Sequence, residues 1–545
     1  MKKLILASVS AAALLAAGSA FADSNISTVT QPGSGNSATV NQAAGSNELS
    51  TVNQVGNGNT AGVTQKGQRS VSDVQQLGAN GKATVTQDRN QTLFGATAEN
   101  TSLITQTGTS DGAEATVSQT GEWNRSTVTQ TGARSDTSVT QTGIYNESTV
   151  TQDADDASVT VTQSGDPATG APGTGRGDNL SVVTQTANAD GSIAIVDQKT
   201  TALGFPTNES RIFQDAAGGF ADVGQDGNDN LSTVDQTGAS GGSAKVRQSG
   251  LNQLSDINQT GNVGGQNKAD VTQSGDNQNS LVDQVGEGLT AVVDQRETSN
   301  DSIIDQQAND SSAFVTQIGE FNLATVTQRA SGNKATVTQG PGGTPGSADV
   351  ANNSANINQF GTNGEAEIYQ GIDTSTAVFN LRNVGDVQQG GDDNFASITQ
   401  RNQDNTANIR QNTGAGATGS GNVASTLQTG EDNTVLVEQG VTNGAASNNT
   451  ATAVQYASQG LIQIFQEGNG NTADSQQLGA FSASQSLITQ TGNLNDATVI
   501  QYGDNNQSDV LQSGNSNTAT VNQLSASNVS DIVQGGNGNT ATVTQ

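Results

Sequence analysis

The chain alternates. Along its final stretch, "NGNTATVTQ" (537–545), Asn539, Ala541, Val543 and Gln545 occupy every second position, with Thr540, Thr542 and Thr544 between them. Residues two apart share one face of a strand, so the first set forms one surface and the threonines the other. The same alternation returns throughout, and its markers are glutamines spaced by 11. One run is Gln119, Gln130, Gln141, Gln152, Gln163; another is Gln284, Gln295, Gln306, Gln317, Gln328, Gln339; the last is Gln490, Gln501, Gln512, Gln523, Gln534, Gln545. About 42 such segments cover the chain, a periodicity that signals a solenoid. The residue two before the marker is almost always Val or Ile, the exceptions being Thr426, Ala453 and Ser475. A strand of about seven residues and a turn of about four account for the period.

A second rhythm lies beneath the first. Four residues before the marker, Ser and Ala take turns, as in Ser27, Ala38, Ser50, Ala61 and in Ser508, Ala519, Ser530, Ala541. A strand packed only on copies of itself has no reason to alternate. The repeating unit is therefore a strand–turn–strand pair of 22 residues. The expected fold is all-β: a parallel β-solenoid of about 21 rungs, with two facing parallel sheets and amyloid-like stacking.

In this arrangement identical side chains stack on one another. The expected inward positions near the C-terminal end are Asn495, Ala497, Val499, Gln501, Asn517, Ala519, Val521, Gln523, Gln534, Asn539, Ala541, Val543 and Gln545. Buried amides are costly unless paired, and a ladder lets each donate to the next. Gly492, Gly503, Gly514 and Gly536 follow their markers by two residues and are expected to turn the chain with φ > 0.

Composition removes several function classes. Without cysteine or histidine there is no thiol chemistry and no imidazole base or ligand. A formal charge of −31 argues against nucleic acid and anionic membranes as partners. Aromatics are 3% of residues, too few for an ordinary large core, so order has to come from repetition. No cofactor or metal is expected, because acidic turns such as "DGNDN" (226–230) lack calcium-loop spacing. The carboxylates form no catalytic constellation, so an enzyme is not expected.

Residues 1–22 read as a secretory signal peptide, with Lys2 and Lys3, the apolar run Leu4 to Ala17 and the small-x-small site Ala20-Phe21-Ala22. No second apolar run suggests membrane insertion. The repeat region, 23–545, divides into regular blocks 23–163, 181–339 and 480–545. Loop-rich inserts cover 164–179, 340–353 and 412–422, and 340–480 is the stretch expected to be most decorated or distorted. Both ends are expected to be uncapped, leaving the outer rungs open to another molecule.

"QTGNLNDATVIQ" (490–501) and "QSGNSNTATVNQ" (512–523) resemble the repeat of curlins, the subunits of curli, a bacterial extracellular functional amyloid. The resemblance covers nearly all of 23–545. It implies export to the cell surface and self-assembly into fibres with roles in biofilm matrix and adhesion. The partners it implies are other copies or other curlin subunits, the curli secretion and nucleation machinery, and host or abiotic surfaces. Two other readings are a soluble solenoid adhesin and an ice-binding protein. Arg176-Gly177-Asp178 resembles an integrin-binding motif, though three residues are a weak pattern. Thr-x-Thr pairs are similar to ice-binding arrays, but Asp, Asn, Arg, Lys and Glu interrupt the outer positions.

Overall fold

The computed structural model describes residues 24–89, 99–165, 179–200, 208–238, 241–261, 266–340, 352–371, 382–414, 418–442, 445–479 and 483–545. The signal-peptide reading of 1–22, most of the inserts 164–179 and 340–353, residues 415–417 of the third, and Arg176-Gly177-Asp178 lie outside these residues.

Among the described residues forty-two strands run from β1 (Ile26–Thr30) and β2 (Ser37–Ser46) to β41 (Val529–Gly535) and β42 (Thr540–Thr544). Odd strands pair with odd and even with even, always in parallel, giving two open 21-stranded sheets. Parallel neighbours need a crossover between them. Here the crossover out of one sheet is a strand of the other, so each 22-residue unit supplies one rung to both. Register keeps the markers in line, as in Gln501 beside Gln523 and Gln512 beside Gln534. It is kept through 354–477 as well, so the strands of that stretch are not distorted.

Burial follows the alternation. In Thr518–Gln523, Ala519, Val521 and Gln523 are buried and the residues between them are not. The inward Val, Ile and Ala side chains form one continuous apolar column along the solenoid. Parallel sheets are usually covered on both faces. These have one wet face, which is why the strands alternate instead of reading as continuous apolar runs.

The turns differ from expectation and come in two forms. In the tight form, the residue after the marker donates its N–H to the marker carbonyl of the next rung, as Tyr502 does to Gln523 at 2.8 Å. In the wide form, the strand runs past the marker, by one residue on odd strands such as Gln485–Thr491 and by three on even ones such as Glu114–Glu122. The second residue after the marker then donates back to the previous rung, as Gly514 does to Thr491 at 3.0 Å. In the C-terminal wide arcs this residue is a glycine with φ > 0: Gly492, Gly514 and Gly536 have +110°, +111° and +93°. Gly503 lies in a tight arc and does not have positive φ, contrary to expectation. It is glycine for a different reason: a Cβ there would sit 2.7 Å from the Ser525 backbone. In arcs of 11-residue spacing of both forms a left-handed residue recurs four after the marker, among them Asn505 and Ser527 in tight arcs and Leu494 and Ser516 in wide ones. Arcs leaving even strands are wide at Gln119, Gln141 and Gln317 and tight from Gln339 onward, while from Gln466 the wide form is on the odd side. The stretch that looked least regular in sequence is where both arcs are tight.

Candidate functional site: two opposed amide ladders

The inward glutamines form two columns, one per sheet. In each, the amide Nε2 donates to the Oε1 of the next rung. Gln501 donates to Gln523 at 2.9 Å, and Gln512 to Gln534 at 2.8 Å. The second N–H crosses the interior to a backbone carbonyl of the facing sheet. Gln501 reaches Gln485 at 2.9 Å and Gln512 reaches Asp496 at 3.0 Å. Gln501 and Gln512 thus spend both donors, and their carbonyls accept from the preceding rung, removing the desolvation cost of an unpaired amide. Each also ties rung to rung and sheet to sheet with one side chain. The direction never reverses, from Gln54 to Gln76 at 2.8 Å near the start to the weaker Gln523–Gln545 contact of 3.4 Å at the end.

The asparagines six before the marker run the other way. Asn517 donates its backbone N–H and its Nδ2 to Asn495 Oδ1, both at 3.1 Å, so here the later rung donates to the earlier. Asn539 does the same to Asn517 at 3.0 Å. The Nδ2 of Asn517 also holds the next arc through the Gly536 carbonyl at 2.9 Å. Where a rung holds both amides, it therefore presents glutamine Nε2 donors and asparagine Oδ1 acceptors toward the matching amides on its C-terminal side, and the complementary groups toward those on its N-terminal side.

Asn495, Ala497, Val499, Gln501, Asn517, Ala519, Val521 and Gln523 are at most 1% exposed, and Gln534 is nearly as buried. Ala541 and Val543 are half-buried, and Asn539 and Gln545 are exposed, because nothing in the structure stacks on their outer side. Among the described residues no cluster of carboxylates is placed to hold a metal ion, and no helix is long and apolar enough to cross a membrane.

Three buried charges escaped the sequence reading. Arg89 Nη2 and Nε contact Glu122 Oε1 at 3.0 and 3.1 Å inside the arcs leaving even strands, with both side chains almost fully buried. Glu48 occupies an asparagine-column position and is 1% exposed. Its signal was present in the sequence: an acid six before marker Gln54, where Asn25, Asn124 and Asn146 hold amides.

The geometry defines a class, a parallel β-solenoid held by directional amide ladders. Five stretches of the chain, 111–143, 132–165, 264–296, 308–340 and 492–524, match the family described as the curlin associated repeat. They fall in all three regular blocks, and the chain is a curlin-repeat protein. No curated protein matches it.

Proposed function

We propose that this curlin-repeat protein is an exported structural subunit that stacks end to end into curli-type extracellular amyloid fibres, serving adhesion and biofilm matrix rather than catalysis. The observation that carries this reading is the polarity of the ladders. On the outermost C-terminal rung, Gln534 and Gln545 each direct one N–H to a backbone carbonyl, leaving the other for a rung beyond. On the outermost N-terminal rung, Gln31 and Gln42 donate onward, and their own carbonyls receive no donor among the described residues. The two ends are complementary, so the partner with the right chemistry is another copy or a subunit with the same columns. The 51 acidic residues, set against 20 basic ones, disfavour sideways contact and leave the ends as the route of growth. Export by the 1–22 segment, handling by a curli-type secretion and nucleation apparatus, and attachment to host or abiotic surfaces belong to the same proposal.

The test starts from residues 23–545 released from denaturant. Assembly should show a lag, thioflavin binding and a lag shortened by seeds. Gln534→Glu with Gln545→Glu removes the donors and should lengthen the lag several-fold. An unchanged lag in that variant would contradict end-on growth through the ladders.

A further inference from the structure

In the asparagine column, the Nδ2 of one rung donates to an arc carbonyl of the next. Asn100 holds Gly121 at 2.8 Å, Asn124 holds Gly143 at 3.0 Å, Asn208 holds Gly227 at 2.8 Å and Asn300 holds Gly319 at 2.8 Å. Where glutamine replaces asparagine the bond survives, with Gln253 holding Gly275 at 2.7 Å. A long side chain in this column thus reaches the next arc's carbonyl and meets it with a donor. Glu48 has one only when it carries a proton.

Its surroundings fit that requirement. The Glu48 backbone N–H donates to Asn25 Oδ1 at 3.0 Å, and Oε2 accepts from Asn25 Nδ2 at 3.3 Å. Oε1 is buried without a partner. A methyl placed on Gly45 would fall 1.5 Å from the Gly67 carbonyl oxygen and 2.6 Å from Glu48 Oε1, so both oxygens crowd one spot. That carbonyl is the counterpart of those held by amides on later rungs. An ionised carboxylate would set two acceptors against each other in a dry pocket. The arc is also irregular, because the pairing of Ser37–Ser46 with its neighbour shifts register between Ala43 and Ser46.

We propose that Glu48 is a proton-operated latch on the N-terminal rungs: protonated, it donates to the Gly67 carbonyl and closes the 43–48 arc, and on losing the proton it releases that arc. Among the described residues no cation is paired with Glu48. On the neighbouring arc, Lys66 and Arg69 are exposed. Arg89, one arc further, is engaged with Glu122. Asp73 of Val71–Gln76 lies on the outward side of its strand, and Ile26–Thr30, Ser37–Ser46 and Leu49–Gln54 contribute no charged side chain. Burial pushes the Glu48 carboxyl up to about 7. Because the folded-state value is raised, the latch contributes fully below the ordinary carboxylate range and is lost as pH rises through about 7. Acidic conditions thus hold the N-terminal rungs closed, and alkaline conditions loosen them.

Hydrogen exchange of the full chain tests this between pH 5 and pH 9. The readout is the exchange rate of peptide 43–48 in wild type divided by that in Glu48→Gln at the same pH, so that intrinsic chemistry cancels. The amide keeps a donor at every pH. The ratio should rise by about tenfold per unit between pH 5 and about 7, where the folded carboxyl is still protonated and the released one is not, and level off above that. A ratio flat across the range, or a variant that exchanges faster than wild type throughout, would overturn the proposal. If Glu48→Gln does not fold, the wild-type rate at 43–48 is divided by that at 515–520, a stretch without titratable groups. That ratio must rise in the same way, and a constant value would overturn the latch.

Discussion

Ser475 Oγ donates to Ser486 Oγ at 2.8 Å across the interior, linking an even strand to the following odd strand. The contact fixes the facing rule: the residue two before an even marker meets the residue four before the next odd one. Gly385 obeys the same rule, since a Cβ there would lie 2.9 Å from Ile368 Cγ2. Applied to the other exceptions, it sets Thr426 opposite Val435 and Ala453 opposite Ile462. At Ala453 the even sheet gives up volume and the odd sheet adds it at Ile462, whereas Ser475 and Ser486 meet through a hydrogen bond instead.

This reciprocity is testable by a double-mutant cycle. Ile462→Ala should cost about 2–5 kcal/mol by leaving a cavity. Ala453→Val should cost about 1–3 kcal/mol by overpacking. Together they should cost clearly less than the sum, measured by denaturant unfolding. Additive costs would mean the two side chains do not share the space.

The serine column makes a second prediction. The Oγ atoms of Ser126, Ser148, Ser232 and Ser255 are buried without a hydrogen-bond partner, whereas Ala324, Ala355 and Ala407 occupy the same column further along. Removing an unsatisfied buried hydroxyl should be neutral or stabilising by about 1–3 kcal/mol. Ser255→Ala should therefore raise the denaturation midpoint. Thr426→Val should do the same, because Thr426 Oγ1 is also buried and unpaired. A lowered midpoint in both would show that these hydroxyls have partners.

Arg89 and Glu122 behave differently because both are charged. Glu122→Ala strands the guanidinium in a dry arc and should cost about 3–5 kcal/mol. Replacing both residues with apolar side chains should cost less than that single change. Calorimetric melting of the single and double variants decides the matter.

How much of this was legible in the sequence follows from what repeats. Gln501 and Gln523 could be stacked from their spacing alone, because a period of 2 within a period of 11 leaves one face for each residue. Ser508 and Ala519 announced two unlike sheets. Thr426, Ala453 and Ser475 were visible as exceptions, but what they meet at Val435, Ile462 and Ser486 needs the facing rule, a distance across the interior. Gly503 was misread because glycine serves both left-handed turns and close backbone approach, and composition does not separate them. The opposed directions of the Gln and Asn ladders depend on which amide atom faces which rung, and no residue pattern encodes that. Glu48 and Glu122 were missed because each occurs once, and reading by periodicity passes over what does not repeat.

The outer face titrates as well. Burial raises the carboxyl pKa of Asp235, Asp256 and Asp283; neighbouring acids, Asp256 and Asp215 for the first and Asp305 and Asp256 for the last, raise two of them further. With folded values above unfolded ones, their contribution is fully present below the ordinary carboxylate range and is lost as pH rises through the raised values. The melting temperature should therefore fall on going from about pH 4 to pH 7, and Asp283→Asn should flatten that slope. An unchanged slope would assign the acid response to other groups.

The central claim is that copies continue one another's ladders along the solenoid axis. X-ray diffraction from aligned fibres of the assembled protein tests it most directly. Continued stacking predicts a meridional reflection at about 4.7–4.8 Å, with strands perpendicular to the fibre and a sheet spacing near 10 Å across it. A chain that stays monomeric when seeded, or fibres whose strand spacing lies across the axis, would contradict it.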